Sequence, residues 1–301
     1  MEIPAYTLRI MDIFGLKKVT EIFGLKKTMD IHGDLYWRGM RKGWNLAAQE
    51  YETSFVPILM EHTRHCVELL GLSTGERVID IACGNGVGTF LAARAVGGSG
   101  SVAGVDYSHE MIKRADSNAK ERAITNVKFE RHRMEELNLP SETFDAALCV
   151  FGLMYGLPIE GAIREMYRVL RPGGRAAVAV WGRRDRCGFR EVFPLVTQYM
   201  RFEVCPLFFS LGSPNALSFA LEQAGFKSVK EERIDKTWHH NTGDDACRAM
   251  FMGGPPAAAY AAVNKRLRRK LDQGYLASLS GYRHGDAYEI PAETVYALAV
   301  K

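Results

Sequence analysis

The sequence predicts an α/β protein built on a doubly wound, parallel sheet with helices on both faces. Three observations predict it. From about residue 75, short β-branched runs alternate with helical stretches, the rhythm of strand–helix–strand units whose strands are covered on both sides. Glycines follow directly on the first buried run, at Gly84, Gly86 and Gly88, where a strand must turn sharply into a helix. The chain has 301 residues, 47% hydrophobic and 25% charged. That is globular composition, in a chain long enough to bury roughly three quarters of its unfolded surface.

The elements follow in order. Residues 1–45 read as a helical arm in which Ile13-Phe14-Gly15-Leu16-Lys17-Lys18 recurs as Ile22-Phe23-Gly24-Leu25-Lys26-Lys27. Apolar residues spaced with paired lysines suit short amphipathic helices. Such an arm packs on the main domain or on a second subunit, or touches a membrane surface. Residues 46–301 form the main domain. Its strands are read at Arg77–Ile81, Ser101–Asp106, Val127–His132, Phe144–Val150, Arg175–Trp181, Phe226–Ile234 and Thr294–Val300. Helices are read at Thr89–Val96, His109–Arg122, Glu160–Leu170 and Asn215–Ala224, with Pro172-Gly173-Gly174 ending one helix and turning into a strand. About residues 240–290 form a cap inserted before the last strand, with an alanine-rich, Lys/Arg-rich helical pattern from Pro256 to Leu279.

Composition narrows the function. Lys plus Arg number 39 against 35 Asp plus Glu, a formal charge of +4, which gives no sign of a polyelectrolyte partner such as nucleic acid. The six cysteines are scattered with no Cys-x-x-Cys pair, so neither a zinc site nor a disulfide framework is expected and a reducing cytoplasm fits. No apolar run approaches the roughly 20 residues of a membrane span, and no secretion signal is read.

The sharpest signal is Val78-Ile79-Asp80-Ile81-Ala82-Cys83-Gly84-Asn85-Gly86-Val87-Gly88. In open α/β sheets ligands lie beyond the carboxyl ends of the strands, where this loop falls. Its spacing is Gly-x-Gly-x-Gly, and Thr89 stands where the dinucleotide fingerprint has its third glycine. Asp106 ends the second strand, placed to accept hydrogen bonds from both ribose hydroxyls of a nucleoside or to cap the following helix.

Asp80-x-Ala82-x-Gly84-x-Gly86, then Val105-Asp106-Tyr107-Ser108-x-x-Met111, then Leu170-Arg171-Pro172-Gly173-Gly174 resemble the class I S-adenosylmethionine-dependent methyltransferases. The likeness is to the small-molecule branch that includes ubiquinone and menaquinone biosynthesis enzymes, and it covers roughly residues 44–301. It implies a seven-stranded, Rossmann-like methyltransferase sheet that binds S-adenosyl-L-methionine. Under that resemblance Ala82, Gly84 and Gly86 pass beneath the methionine part of the cofactor, and Asp80 orders the loop and the cofactor's amino group. Asp106 holds the ribose, Tyr107 and Met111 border the adenine, and the backbone at Met134 and Glu135 meets its edge. Phe151 lines the methionine side. The family usually has an acidic residue just before the Met134 position; this chain has Arg133 there, and arginine offers donors only.

The candidate catalytic residues are His239 and His240, read at the mouth of the cap, and Tyr155, an aromatic wall for the acceptor. His62 and His65 suit packing or surface roles, and Lys265–Lys270 a solvated helix face. No triad or metal-ligand spacing emerges. The expected activity is transfer of a methyl group to O, N or C of a small hydrophobic or aromatic acceptor, by an enzyme compatible with a homodimer. The rivals are a non-methylating cofactor-binding module or cyclase, and an NAD-dependent dehydrogenase.

Overall fold

A computed structural model describes residues 25–199 and 204–301. The first of the arm's lysine-paired repeats, and Ile22–Gly24 of the second, lie outside the described residues. Helix α1 spans Leu25–Ser54 and α2 Val56–Leu70. The chain divides at Gly39 into a short N-terminal unit and a compact unit over Met40–Lys301.

Within the larger unit the strand–helix rhythm is realised as β1 (Arg77–Ile81), α3 (Val87–Val96), β2 (Ser101–Asp106), α4 (His109–Glu121), β3 (Val127–Arg131) and β4 (Phe144–Val150). Then come α5 (Ile159–Val169), β5 (Leu170–Trp181), α6 (Val192–Thr197), α7 (Ala216–Gln223) and β6 (Lys227–His240). The chain closes with α8 (Gly243–Met252), α9 (Ala257–Ala262), α10 (Lys265–Ser278), the two-residue β7 (Arg283–His284) and β8 (Ala287–Val300). The sheet order is β3-β2-β1-β4-β5-β8-β6, with β7 paired to β8 off that path. Strands β1–β5 run parallel, and β8 is antiparallel to both β5 and β6. Two reversals make β6 parallel to β5, so the carboxyl ends of β1–β6 share one edge.

Val78, Ile79 and Ile81 of β1 and Ala146–Cys149 of β4 are fully buried, as strands covered on both faces require. Helix α4 starts where Ser108 Oγ accepts from the Met111 N–H at 3.2 Å, and carries Glu110 in its first turn and Lys120 in its last, matching the helix dipole. In the cap, Thr242 and Asn264 cap α8 and α10 by accepting from the Asp245 and Leu267 N–H groups.

Three boundaries differ from the sequence reading. β5 opens at Leu170, so Pro172-Gly173-Gly174 lies in a strand's irregular start, where the register against β4 shifts. β6 runs six residues past Ile234 to His240, and β8 begins at Ala287, seven before Thr294. The extra half of β6 carries Asp235, Lys236 and Thr237, which read as loop; an edge strand tolerates them because it pairs on one side only and exposes alternate residues. The helical part of the insertion spans 243–278 and so starts before the Pro256 read from the sequence, because α8 precedes it. Short helices between β5 and α7, α6 among them, were not legible in the sequence.

Candidate functional site

Beyond β1 the backbone takes unusual turns. Ala82, Gly84 and Gly86 all have positive φ, at +59°, +55° and +92°. A Cβ on Gly86 would stand 2.7 Å from Phe90 Cζ, so only glycine fits there. One on Gly88 would meet Asp80 Oδ2 and Leu148 Cδ2 at 2.9 Å, so this glycine lets α3 close onto β1 and β4. Ala82 is joined by Phe151, at φ +54°, just past the end of neighbouring β4. Left-handed non-glycine residues at two adjacent strand ends concentrate strain where the sheet presents its ligand edge.

Two carboxylates frame this loop. Asp106 Oδ2 accepts from the Gly84 N–H at 3.0 Å and Oδ1 from the Ser108 N–H at 2.8 Å. Each oxygen is held by one donor and keeps a further lone pair for a ligand. Burial raises its pKa, opposed by those backbone donors. Asp80 is buried, and its Oδ2 accepts from Thr89 Oγ1 at 2.7 Å. Burial pushes it up to about 7; the Thr89 hydroxyl opposes the rise and the neighbouring Asp106 charge adds to it.

The other residues expected in the cofactor site divide. Met111 is 1% exposed beneath the start of α4. Tyr107 is half-buried with the Arg41 guanidinium 5.7 Å from its ring centroid. Met134 is half-buried in the turn after β3. The Glu135 side chain turns to the next loop, where Oε1 accepts from the Leu157 N–H at 2.7 Å. Arg133 Nε lies 3.6 Å from Glu135 Oε2, so the arginine faces a carboxylate of its own turn. Phe151 stacks on Trp181 with centroids 3.8 Å apart and meets the edge of His62; its ring belongs to the aromatic core, while its strained backbone borders the loop.

The structure does not bring the three candidate catalytic residues together. His239 and His240 are the last two residues of β6, not residues beyond it. Strand alternation exposes His239 beside Glu289 at 3.7 Å and buries His240. Tyr155, in a short helical turn after β4, meets Trp44 and Phe208 edge to face at 5.3 and 5.6 Å.

Sequence reasoning did not place the helices upstream of β1 over the loop. Asn45 Oδ1 of α1 accepts from Ser108 Oγ at 2.7 Å, holding the start of α4. Tyr51, one and a half turns on, lies over the glycine loop: a Cβ on Gly84 would be 3.9 Å from its hydroxyl. Burial, then the Asp106 and Asp80 charges, hold the Tyr51 phenol protonated. Tyr51, Val56, Leu59 and Thr63 of α1 and α2 face Asp80, Ala82, Cys83 and Val150 across one cleft. The available signal was Trp44-Asn45 followed by Tyr51 upstream of the first strand, too common a pattern to single out. His62 of α2 packs behind the cleft: its Nδ1 is 2.6 Å from Tyr296 Oη, and burial pulls its pKa down to about 4.

Comparison with known proteins agrees with this geometry. Residues 72–185 match a family described as a methyltransferase domain. A demethylmenaquinone methyltransferase of Geobacillus sp. (strain WCH70) is 33% identical over 139 residues, 46% of this chain and 58% of its own length. The chain thus spans under two thirds of that relative. Among solved structures, the YcgJ protein of Bacillus subtilis superposes with a TM-score of 0.59 at 17% identity, covering 80% of this chain and 98% of its own. Phosphoethanolamine N-methyltransferase 2 of Haemonchus contortus, solved with S-adenosyl-L-methionine, gives 0.54 at 18% identity over 80% of this chain and 52% of its own. Residues 72–185 thus resemble a methyltransferase domain, and the α/β sheet has the fold of those solved structures.

Proposed function

We propose that the protein transfers the methyl group of S-adenosyl-L-methionine to a small, hydrophobic or aromatic acceptor. One observation carries this reading: Asp106 at the end of β2, its two oxygens each fixed by one backbone N–H and each open to a ribose hydroxyl, beside a loop of left-handed backbone. Bound there, the cofactor supplies a sulfonium methyl that is already reactive.

The chain's own residues then hold, orient and exclude water. Asp106 takes the ribose, Ala82, Gly84 and Gly86 admit the methionine part, and ionised Asp80 balances its amino group. Tyr107 and Met111 border the adenine, with the backbone at Met134 and Glu135 on its edge. Tyr51 closes over the loop, shielding the reacting atoms from solvent. Alignment and desolvation suffice for such a transfer unless the acceptor must first lose a proton. Burial lowers the pKa of His240, which suits a neutral base; exposed His239 and half-buried Tyr155 stand further back as alternatives.

The +4 charge supports a small acceptor over a nucleic acid. Cys66, Cys83, Cys149, Cys187 and Cys247 are buried free thiols, in keeping with a reducing cytoplasm. No described helix is long and apolar enough to cross a membrane. A homodimer, and an arm over residues 1–45 that makes weak membrane-surface contact, complete the proposal.

Calorimetry with S-adenosylhomocysteine, then transfer of labelled methyl to aromatic hydroxyl compounds, tests it. Binding with turnover is expected. Failure to bind the cofactor product, or turnover on tRNA or DNA alone, would overturn it.

A further inference from the structure

The carboxyl end of β6 holds two buried heteroatoms that meet no hydrogen-bond partner among the described residues: Trp238 Nε1 and His240 Nε2. The residues are 2% and 7% exposed. Standing two apart on one strand, they point to the same face of the sheet, roughly 7 Å apart along it. That end of β6 lies on the edge shared with the carboxyl ends of β1–β5, where the cofactor site is, and the chain runs from it straight into cap helix α8. Buried donors and acceptors are nearly always paired, so each exception calls for an explanation.

The surroundings define what would pair them. Phe189 stacks parallel on Trp238 at 4.3 Å, and Trp181 and Phe55 meet it edge to face at 5.1 and 5.7 Å. Phe55 in turn stacks on Tyr51 at 6.0 Å, joining this cluster to the cleft over the glycine loop. The indole N–H only donates. Burial keeps the His240 imidazole neutral, and the charges facing it, Asp245 of α8 and the adjacent His239, oppose one another.

The geometry points to a subsite in which Trp238 and His240 recognise the methyl acceptor: a flat aromatic molecule whose one ring oxygen accepts from the Trp238 indole N–H and whose hydroxyl donates to His240 Nε2. This rests on the methyltransferase reading and adds the residues that select the acceptor. The rings packed around Trp238 make its surroundings apolar and aromatic, and the donor–acceptor pair requires oxygens on two edges of the molecule it binds.

The test uses the full chain saturated with S-adenosylhomocysteine, titrated calorimetrically with 1,4-dihydroxynaphthalene kept reduced and with 1,4-dimethoxynaphthalene, which accepts but cannot donate. Trp238→Phe should weaken both probes at least fivefold. His240→Leu should weaken the diol at least fivefold and leave the dimethoxy compound within twofold. Both variants should keep S-adenosylhomocysteine affinity within twofold of the wild type. If Trp238→Phe does not fold, the contrast between the two probes in His240→Leu decides alone. Diol affinity unchanged in the folded variants, or no diol binding by the wild type, overturns the subsite. Wild-type failure to bind S-adenosylhomocysteine overturns the methyltransferase reading itself.

Discussion

Two stretches of one sheet edge treat their polar groups in opposite ways. Beyond β1 and β2, Asp106 meets two backbone N–H groups, Asp80 meets the Thr89 hydroxyl, and Ser108 meets Asn45. At the end of β6, Trp238 Nε1, packed among aromatic rings, and His240 Nε2 are buried with no hydrogen-bond partner among the described residues. The first stretch is pre-organised by the chain, so a ligand entering it finds its acceptors fixed and little is lost to ordering them. The second is finished only when something else supplies the missing hydrogen bonds. On the proposed function, one fold keeps its cofactor end pre-organised and leaves its acceptor end to be completed.

The comparison breaks most sharply at Asp106. Replacing it with Ala removes both ribose acceptors and leaves the Gly84 and Ser108 N–H groups without their carboxylate. Hydrogen bonds to ionised groups are worth about 1.5–3 kcal/mol, so S-adenosylhomocysteine affinity should fall on the order of 100-fold by calorimetry. Unchanged affinity would falsify the assignment of this carboxylate. NAD binding in its place would point to a dehydrogenase.

Asp80 sharpens the comparison through pH. Its pKa in the folded protein is about 7, above the usual 3.9 of an unfolded chain. The folded state therefore holds the extra proton between those values, and this group's contribution to stability declines as pH rises through that window. A cofactor ammonium nearby favours the ionised form. Binding should then release a proton below pH 7, and affinity should rise about fivefold from pH 6 to pH 7 and level off about one pH unit higher. His62 runs the other way: held at about 4 against about 6.5 unfolded, it withdraws stability as pH falls through that range. Asp80→Asn separates the two. It should abolish proton release, measured in buffers of different ionisation enthalpy, while leaving the acid-side loss due to His62. Proton release that persists in Asp80→Asn would sink the account.

How far the sequence carried the reading differs between the two stretches for the same reason. Gly84, Gly86, Asp80 and Asp106 were legible because tight turns, close backbone approach and strand-end carboxylates restrict residue type at fixed spacing. The strands β1, β2 and β4 were legible because they lie inside the sheet and read as largely apolar runs, whereas β3, a half-buried edge strand, mixes Val127 and Phe129 with charged residues. Past Ile234, β6 likewise mixes charge with aromatics, since it is an edge strand with one dry face. His239 and His240 were consequently read beyond the strand, though alternation along it decides which of them is buried. Tyr51 and Asn45 reach the site from a helix more than twenty residues upstream of β1, a tertiary placement no local pattern encodes.

Tyr51 offers a milder perturbation of the ordered end. Its phenol sits over Gly84 with Asp80 and Ala82 across the cleft, protonated and therefore able to donate. Tyr51→Phe keeps the ring that stacks on Phe55 and meets Trp44 and removes only the donor. The expected loss is about 1 kcal/mol, the scale of one neutral hydrogen bond, or roughly fivefold in cofactor affinity. Thermal stability should stay within a degree or two. A large fall in stability with unchanged affinity would make Tyr51 a packing residue only.

The smallest effect is expected at Arg133, the position where the resembled family carries an acid. From sequence alone, Arg133→Asp is expected to be tolerated and to tighten the cofactor by reaching the adenine amino group. The structure changes that expectation. Arg133 Nε stands 3.6 Å from Glu135 Oε2, and the same carboxylate holds the Leu157 N–H with Oε1. Burial already raises the Glu135 pKa, with the Arg133 charge among the influences that oppose the rise. An aspartate here would replace an attractive neighbour with a like charge, raising that pKa further and loosening the turn that links the ends of β3 and β4. Because the arginine side chain is 36% exposed, solvent screens much of the pair, and the cost in stability should be no more than about 0.5–1 kcal/mol. Any gain at the adenine would be offset by that loosening, so affinity should shift less than threefold in either direction. Denaturant melts at pH 6 and pH 8 decide: the variant should lose more at pH 8, because Glu135, its pKa raised by burial, carries more charge at the higher pH. Equal losses at the two pH values would show that Glu135 does not feel residue 133, and a tenfold gain in cofactor affinity would restore the adenine contact.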